Sequence, residues 1–120
     1  MATIRYLVDD VDASLPFYAL LGFKLEDRWG PPFAILRRDD LSLWLSGPGS
    51  SATRTLANGG KPVPGGWNRI VIEVDDLDAT VAALAASGTK LRSDPVAGPG
   101  GRQVLLDDPS GNPIELFQPG

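Results

Sequence analysis

Two stretches of the sequence repeat the same ordered set of residues at a constant separation. Residues 8–25, VDDVDASLPFYALLGFKL, and residues 74–91, VDDLDATVAALAASGTKL, are identical at nine of eighteen positions without a gap. Several differences are conservative, such as Ser14 against Thr80. Because repeats of this kind each form one unit of supersecondary structure, the duplication predicts two similar modules that follow one another along the chain.

Each repeat begins with a short apolar strand, over 3–8 and 69–74, that runs into aspartates. A helix follows, since carboxylates can accept hydrogen bonds from the unpaired N–H groups of a first helical turn. We expect Asp12 and Asp78 to be the N-caps, which places Pro16 near the first turn, where a missing N–H is tolerated. Glycines in the left-handed conformation then end the two helices, at Gly22 and Gly88.

A hairpin closes each repeat. In the first repeat the strands lie within 33–46 and turn at Asp39-Asp40, and in the second they lie within 102–117 and turn at Pro-Ser-Gly-Asn. A further short strand is expected after each helix, over 24–26 and 90–92. Each repeat is therefore predicted to be a β-α-β-β-β module.

The fold class is predicted to be α+β. Two such modules side by side would form one curved sheet around a cleft, with the helices outside. We expect the first module over 1–48, the second over 68–120, and a Gly- and Pro-rich segment over 49–67 between them. That segment is interpreted as a flexible linker or, alternatively, as a mobile flap over the cleft, because long loops often carry binding residues.

Composition narrows the possible functions. The chain contains no Cys and no His, which excludes disulfides, thiolate catalysis and the most frequent ligands of zinc, nickel and iron. A net charge of −4 argues against broad nucleic-acid binding. No apolar run is long enough to cross a bilayer, and the N-terminal residues do not resemble a signal peptide. We therefore expect a cytoplasmic protein that binds neither nucleic acid nor membranes.

The paired modules, the opening VDDVDASLPFYALLGF and the ending DDPSGNPIELFQP resemble the vicinal oxygen chelate superfamily. This superfamily contains glyoxalase I, extradiol dioxygenases, and fosfomycin- and bleomycin-resistance proteins. The resemblance covers nearly the whole chain outside the segment 49–67. It also implies a homodimer, because members of the superfamily often pair modules across chains. It does not give the function within the superfamily, because function lies in the site rather than in the fold.

The resemblance also implies where a metal would be bound. In metal-dependent members the ligands, commonly His and Glu, come from the first and last strands of each module. Those positions match Thr3, Trp44, Arg69 and Glu115 in this sequence. One carboxylate beside a cation, an indole and a hydroxyl is a poor donor set for a transition metal. We therefore expect no metal and no cofactor.

Strand alternation places the candidate site residues independently of the resemblance. Side chains alternate across a strand, so Glu115 and Phe117 share one face, opposite Ile114 and Leu116. The same reasoning places Arg69 and Arg5 on the faces opposite the apolar residues of their strands, toward the expected cleft. We predict an ion pair between Arg69 and Glu115, since an unpaired carboxylate in a partly dry site is costly.

Three functions remain open from the sequence. The first is binding of a small organic molecule by Arg5, Trp44, Trp67, Arg69, Glu115 and Phe117, as in bleomycin-resistance proteins. The second is a metal-independent lyase or isomerase with Glu115 as general base, or a dioxygenase- or glyoxalase-like enzyme with a non-standard metal site. In the third, Glu115 is paired only for structural reasons and the chain acts through protein contacts. Core packing is expected for the tryptophans, with Trp67, beside the glycine-rich segment, as the best exception.

Overall fold

The computed structural model describes residues 2–120. Contacts between residues divide the chain into two compact units, with the boundary between Pro64 and Gly65. Each unit contains one helix and one four-stranded sheet. In the described chain, neither helix is long and apolar enough to cross a membrane.

The first unit contains the elements of one β-α-β-β-β module. They are β1 (Ala2–Leu7), α1 (Val11–Leu20), β2 (Lys24–Arg28), β3 (Phe33–Arg38) and β4 (Leu41–Ser46). The sheet order is β1-β4-β3-β2, in which β1 pairs with β4 in parallel and the other pairs are antiparallel. A single 3₁₀ turn, Ser51–Thr53, follows. The hairpin predicted over 33–46 is confirmed, and its turn residue Asp39 has a positive φ of 52°.

The second unit repeats this arrangement. Its elements are β5 (Ile70–Glu73), α2 (Leu77–Ala86), β6 (Val96–Gly98), β7 (Gly101–Asp107) and β8 (Pro113–Pro119). The sheet order is β5-β8-β7-β6, again with one parallel pair, β5 and β8. The predicted α+β class and the two β-α-β-β-β modules are therefore confirmed.

The duplication extends to the register of the strands. In the first unit Arg5 of β1 lies opposite Trp44 of β4, and in the second unit Val71 of β5 lies opposite Glu115 of β8. Arg5 and Val71 are separated by the same 66 residues as the repeats. Trp44 and Glu115 therefore occupy equivalent places in the two sheets, as the alignment of the two strand endings predicts.

The N-caps are shifted from the predicted positions. Asp10 caps α1 by accepting from the backbone N–H of Ala13, at 3.2 Å, and Asp76 caps α2 by accepting from Ala79, at 3.0 Å. The prediction of Asp12 and Asp78 is wrong, because a cap must precede the helix by one residue to reach the third N–H of its first turn. Asp12 and Asp78 lie inside the first turns instead.

Two consequences follow for the helix ends. Pro16 is the sixth residue of α1, so it lies beyond the first turn in which it was predicted. Gly22 and Gly88 end the helices with φ of 88° and 87°, as predicted. This left-handed conformation costs little for glycine, because glycine has no Cβ.

The strand predicted over 90–92 does not form. Leu91 makes only an isolated bridge to Leu106, and the edge strand β6 begins later, at Val96. The ladder is interrupted because the backbone N–H groups of Arg92 and Ser93 both donate to the carbonyl of Leu105. The corresponding prediction over 24–26 is confirmed, since β2 covers those residues and extends to Arg28.

Alternate strand residues form the buried core of each unit. In the first unit they pack with apolar residues of α1 and its flanks, and the buried set is Val8, Val11, Phe17, Tyr18, Leu21, Phe23, Ala34, Leu36, Leu43 and Leu45. In the second unit the set is Ile70, Ile72, Leu77, Leu84, Val104, Leu106, Ile114 and Leu116. The strand residues between them point to the opposite side of each sheet, which we call the distal face.

None of the three tryptophans belongs to the buried core of residues 2–120. Trp29 is 65% exposed and Trp67 is 70% exposed, whereas Trp44 is half-buried. Trp29 lies in the connection between β2 and β3, and its indole N–H donates to Asp27 at 2.8 Å. The core prediction is therefore wrong for Trp29 and for Trp44, which lies on the distal face, and Trp67 is the exception that the sequence singled out.

Candidate functional site

The distal face of the second unit carries the predicted ion pair. Nη2 of Arg69 lies 3.0 Å from Oε1 of Glu115, and Nε of Arg69 lies 3.1 Å from the same oxygen. Nη1 of Arg69 also donates to the carbonyl oxygen of Trp67 at 3.3 Å. The Glu115 side chain is only 12% exposed. A carboxylate with so little access to water depends on this hydrogen-bonded cation for its stability.

The sheet fixes the position of Glu115. Its neighbours Ile114 and Leu116 are fully buried on the helix side of β8, which turns Glu115 to the distal face. There it lies between Val71 of β5 and Leu105 of β7, its two cross-strand partners. Both neighbours are apolar, so Arg69 supplies the charge complement from the residue just before β5.

A second arginine stands beside this pair and was not predicted from the sequence. Arg92 forms an ion pair with Asp107 and donates to the carbonyl oxygens of Gly66, at 2.7 Å, and Gly111, at 2.9 Å. Its guanidinium carbon lies 4.8 Å from the centre of the Trp67 ring, a cation–π distance. We call Trp67, Arg69, Arg92, Asp107 and Glu115 the second-unit cluster.

One sequence signal could have drawn attention to Arg92. The repeat pairs Lys24 with Lys90 and Leu25 with Leu91, but the next position pairs Glu26 with Arg92. A reversal of charge inside an otherwise preserved repeat indicates that the residue serves one module alone. The contacts themselves could not be predicted, because they depend on the path of the loop before β5.

That loop is held to the second unit at a further point. The backbone N–H of Gly65 donates to Oδ1 of Asn112 at 2.8 Å. Asn112 is buried in the turn between β7 and β8, where its amide nitrogen donates to Asp108 at 3.0 Å. The exposed indole of Trp67 is therefore carried on a short segment with hydrogen bonds on both sides of it.

The distal face of the first unit carries an arginine among aromatic rings. The guanidinium carbon of Arg5 lies 5.1 Å from the Trp44 ring centre and 6.0 Å from that of Phe33. Nη1 of Arg5 donates to Oγ of Ser46, a fully buried residue, at 3.1 Å. Phe33 and Trp44 meet edge to face with their centres 5.6 Å apart.

Phe117, the last of the predicted site residues, lies half-buried on β8 opposite Gln103. It shares the distal face with Glu115, as the alternation predicts. The structure thus places Arg5 and Trp44 together in the first unit. It places Trp67, Arg69 and Glu115 together in the second, with Phe117 two residues beyond on the same strand.

The donor set at the positions implied for a metal does not fit one. Glu115 is the only carboxylate among them, and Arg69 engages one of its oxygens with a hydrogen bond from Nε and a close contact from Nη2. Thr3 and Trp44 add a hydroxyl and an indole, which are not strong ligands of zinc, nickel or iron. Among residues 2–120 no group of three or more acidic side chains is arranged to hold a metal ion.

A groove in the first unit lies away from these residues. Its volume is about 660 Å³, and it is lined by Gly22, Lys24, Leu25, Glu26, Arg37, Arg38 and Asp39. Two of its charges are paired: Arg37 pairs with Glu26, and the hydrogen bond from Arg37 holds the pKa of Glu26 below its ordinary value. None of the predicted site residues lines this groove.

Comparison with known proteins covers almost the entire chain. The model of the Glyoxalase/Bleomycin resistance protein/Dioxygenase superfamily matches residues 1–116. An uncharacterized protein from Mycolicibacterium smegmatis is 27% identical over 113 residues, which is 92% of this chain and 86% of that protein.

Solved structures give the same result. The crystal structure of TnmS3, an antibiotic binding protein from Streptomyces sp. CB03234, is 29% identical with a TM-score of 0.72, and the match covers 98% of this chain and 93% of that one. A glyoxalase-related enzyme from Fulvimarina pelagi is 22% identical with a TM-score of 0.77, over 98% and 86% of the two chains. The second likeness shows the fold alone.

Proposed function

Because the chain belongs to the Glyoxalase/Bleomycin resistance protein/Dioxygenase superfamily, we propose that it binds a small organic molecule without a transition metal. The observation that carries the proposal is the Arg69–Glu115 pair. The carboxylate at the position implied for a metal ligand is engaged by a guanidinium within the same unit. A divalent cation at Glu115 would lie beside the Arg69 guanidinium, and within residues 2–120 no group of three acidic side chains is arranged to hold it.

The distal face of each unit, taken by itself, carries side chains that suit an organic ligand. Trp44 and Phe117 are half-buried and offer flat apolar surface, and Trp67 is exposed. Arg5 and Arg69 add forked hydrogen-bond donors, which recognise oxygen-rich groups. Small-molecule sites usually combine apolar and aromatic surfaces with a few polar groups. The likeness to TnmS3, described as an antibiotic binding protein, supports the same assignment.

Catalysis by Glu115 as a general base is the alternative. A base must present an oxygen to the proton it removes, and Oε1 of Glu115 already accepts a hydrogen bond from Nε of Arg69. Oε1 could act as the base only after Arg69 gave way. The geometry therefore supports binding over proton transfer. The homodimer and the cytoplasmic location implied by the sequence belong to the same proposal.

Binding of a neutral aromatic probe, N-phenylnaphthylamine, to chelator-treated protein tests the proposal. We expect saturable binding by the native state, a rise in melting temperature with probe concentration, and weaker binding by Trp44→Ala. No saturable binding, or binding that requires added metal, would contradict the proposal.

A further inference from the structure

We propose that Arg5 recognises an anionic oxygen group, so that the ligand is an aromatic molecule carrying a carboxylate, sulfonate or similar group. This inference rests on the proposed function and names the chemical class of its ligand. It follows from a comparison of how each arginine of the chain is paired.

Six of the eight arginines form an ion pair with a carboxylate within residues 2–120. The remaining two are Arg5 and Arg54. Arg54 lies in the segment before the second unit and donates to the carbonyl oxygen of Ser51 at 3.2 Å. Within residues 2–120, Arg5 is thus the one arginine that lies on a distal face and forms no ion pair with a carboxylate.

The two arginines of the second-unit cluster are less available to an anionic ligand, because each already has a carboxylate partner. Arg69 is matched by Glu115, and Arg92 is matched by Asp107. An anion that approached either of them would compete with a carboxylate already in place. The sequence left Arg5 and Arg69 as equal candidates for binding an oxygen-rich group, and the pairing distinguishes them.

Arg5 is held in place without being neutralised. Within residues 2–120, the hydrogen bond of its side chain goes to the hydroxyl of Ser46, a neutral group that is fully buried and therefore fixed. The rings of Trp44 and Phe33 hold the guanidinium by cation–π contact. Since a guanidinium carries five N–H donors, most of them remain free for a ligand. A carboxylate or sulfonate matches this fork of donors.

The aromatic half of the ligand is inferred from the neighbours of Arg5. Trp44, Phe33 and Trp29 form a row of edge-to-face contacts, with ring centres 5.6 Å and 6.4 Å apart. Such a row beside a fixed cation favours a planar molecule with its charge at one end. The net charge of −4 acts mainly on encounter, whereas selection within the site depends on the nearest charge.

Two fluorescent probes that differ only by a sulfonate test the inference. Anilinonaphthalene sulfonate carries the anion, and N-phenylnaphthylamine is its neutral counterpart. We expect the native protein to bind the sulfonate more tightly by about tenfold, the size of one charge-assisted hydrogen-bonded contact. Arg5→Met should bring the two affinities together, mainly by weakening the sulfonate. Arg54→Met removes the other arginine without a carboxylate partner and should leave the preference intact.

The outcomes separate the inference from the proposed function. Binding of both probes, with a preference that Arg5→Met does not change, overturns the role of Arg5 and leaves small-molecule binding in place. If the native protein binds the two probes equally well, the role of Arg5 is likewise overturned and small-molecule binding stays in place. Failure of both probes to bind overturns the proposed function and this inference together. Cooperative urea unfolding of each variant confirms that the native state is being measured.

Discussion

Arg69, the residue just before β5, forms a hydrogen-bonded ion pair with Glu115 of β8, with Nη2 and Oε1 3.0 Å apart. The pair lies on the face of the sheet opposite the helix, where Glu115 is nearly covered. It joins two places that are 46 residues apart in sequence. This pair supports both the metal-independent proposal and the first prediction.

Removing Arg69 should destabilise the second unit. Arg69→Met leaves the Glu115 carboxylate, 12% exposed, without its cation, which should lower the free energy of unfolding by about 1–3 kcal/mol. Urea unfolding measures the change. The matched control is Arg102→Met, because Arg102 pairs with the exposed Asp78 and an exposed ion pair contributes little to stability. Equal losses in the two variants would contradict the account.

A double variant sharpens that comparison. Arg69→Met combined with Glu115→Gln removes the unpaired charge as well as the cation. We expect the double variant to recover part of the stability lost in Arg69→Met, since a neutral amide tolerates burial better than a carboxylate. Additive losses would show that the two side chains do not depend on one another.

Helix capping by Asp10 and Asp76 should be measurable. Asp10→Ala and Asp76→Ala each remove a hydrogen bond to the first turn, which should cost about 1 kcal/mol. Asp12→Ala is the control, because Asp12 makes only an exposed ion pair with Arg28, worth about 0–1 kcal/mol. Thermal or urea unfolding compares the three. A larger loss for Asp12→Ala than for Asp10→Ala would restore the assignment made from the sequence.

The stability contributed by Asp78 should depend on pH. Two hydrogen bonds from Arg102 lower the pKa of Asp78 below its ordinary value of 3.8. A carboxyl group with a lowered pKa in the folded state stabilises that state above pH 3.8, and the contribution is lost as pH falls through the lowered pKa. The melting temperature of the native protein should therefore exceed that of Asp78→Asn at neutral pH.

In strong acid that difference should vanish, and added salt should reduce it at neutral pH because the pair is exposed. Melting curves of both proteins across the acid range provide the measurement. A difference that persists unchanged below the lowered pKa would mean that Asp78 acts through something other than its charge.

Arg92 should hold Trp67 in place. In a background with Trp29→Phe and Trp44→Phe, Trp67 is the single fluorescent indole. Arg92→Met removes the cation–π contact and the hydrogen bond to Gly66, so Trp67 should show lower fluorescence anisotropy. Arg102→Met in the same background is the control. Anisotropy that is unchanged by Arg92→Met would show that the segment 65–67 is ordered without Arg92.

The fold could be predicted from the sequence because the duplication and the strand alternation are local patterns. The repeat at 66 residues places α1 and α2 in equivalent positions, and alternation assigns Glu115 to its face. The caps were assigned two residues too late, because each repeat offers several aspartates and only the geometry of the first turn selects Asp10 and Asp76.

The candidate site was predictable only in part. The Arg69–Glu115 pair follows from strand positions, which the sequence indicates. The contacts of Arg92 with Trp67 and Asp107 depend on the path of the loop before β5, which no periodicity describes. The exposure of Trp29 was also missed. A large aromatic residue normally indicates a buried core, but Trp29 lies in the connection between β2 and β3, where it is exposed.

The most direct test of the central claim is a calorimetric titration of chelator-treated protein with Mn²⁺, Fe²⁺, Co²⁺, Ni²⁺ and Zn²⁺, alongside the melting temperature with each ion. A metal that binds the native state must raise its stability. We predict no saturable binding heat and no rise in melting temperature, because Arg69 holds the Glu115 carboxylate. Stoichiometric binding of any of these ions, abolished by Glu115→Gln, would contradict the claim and place metal-dependent chemistry at Glu115.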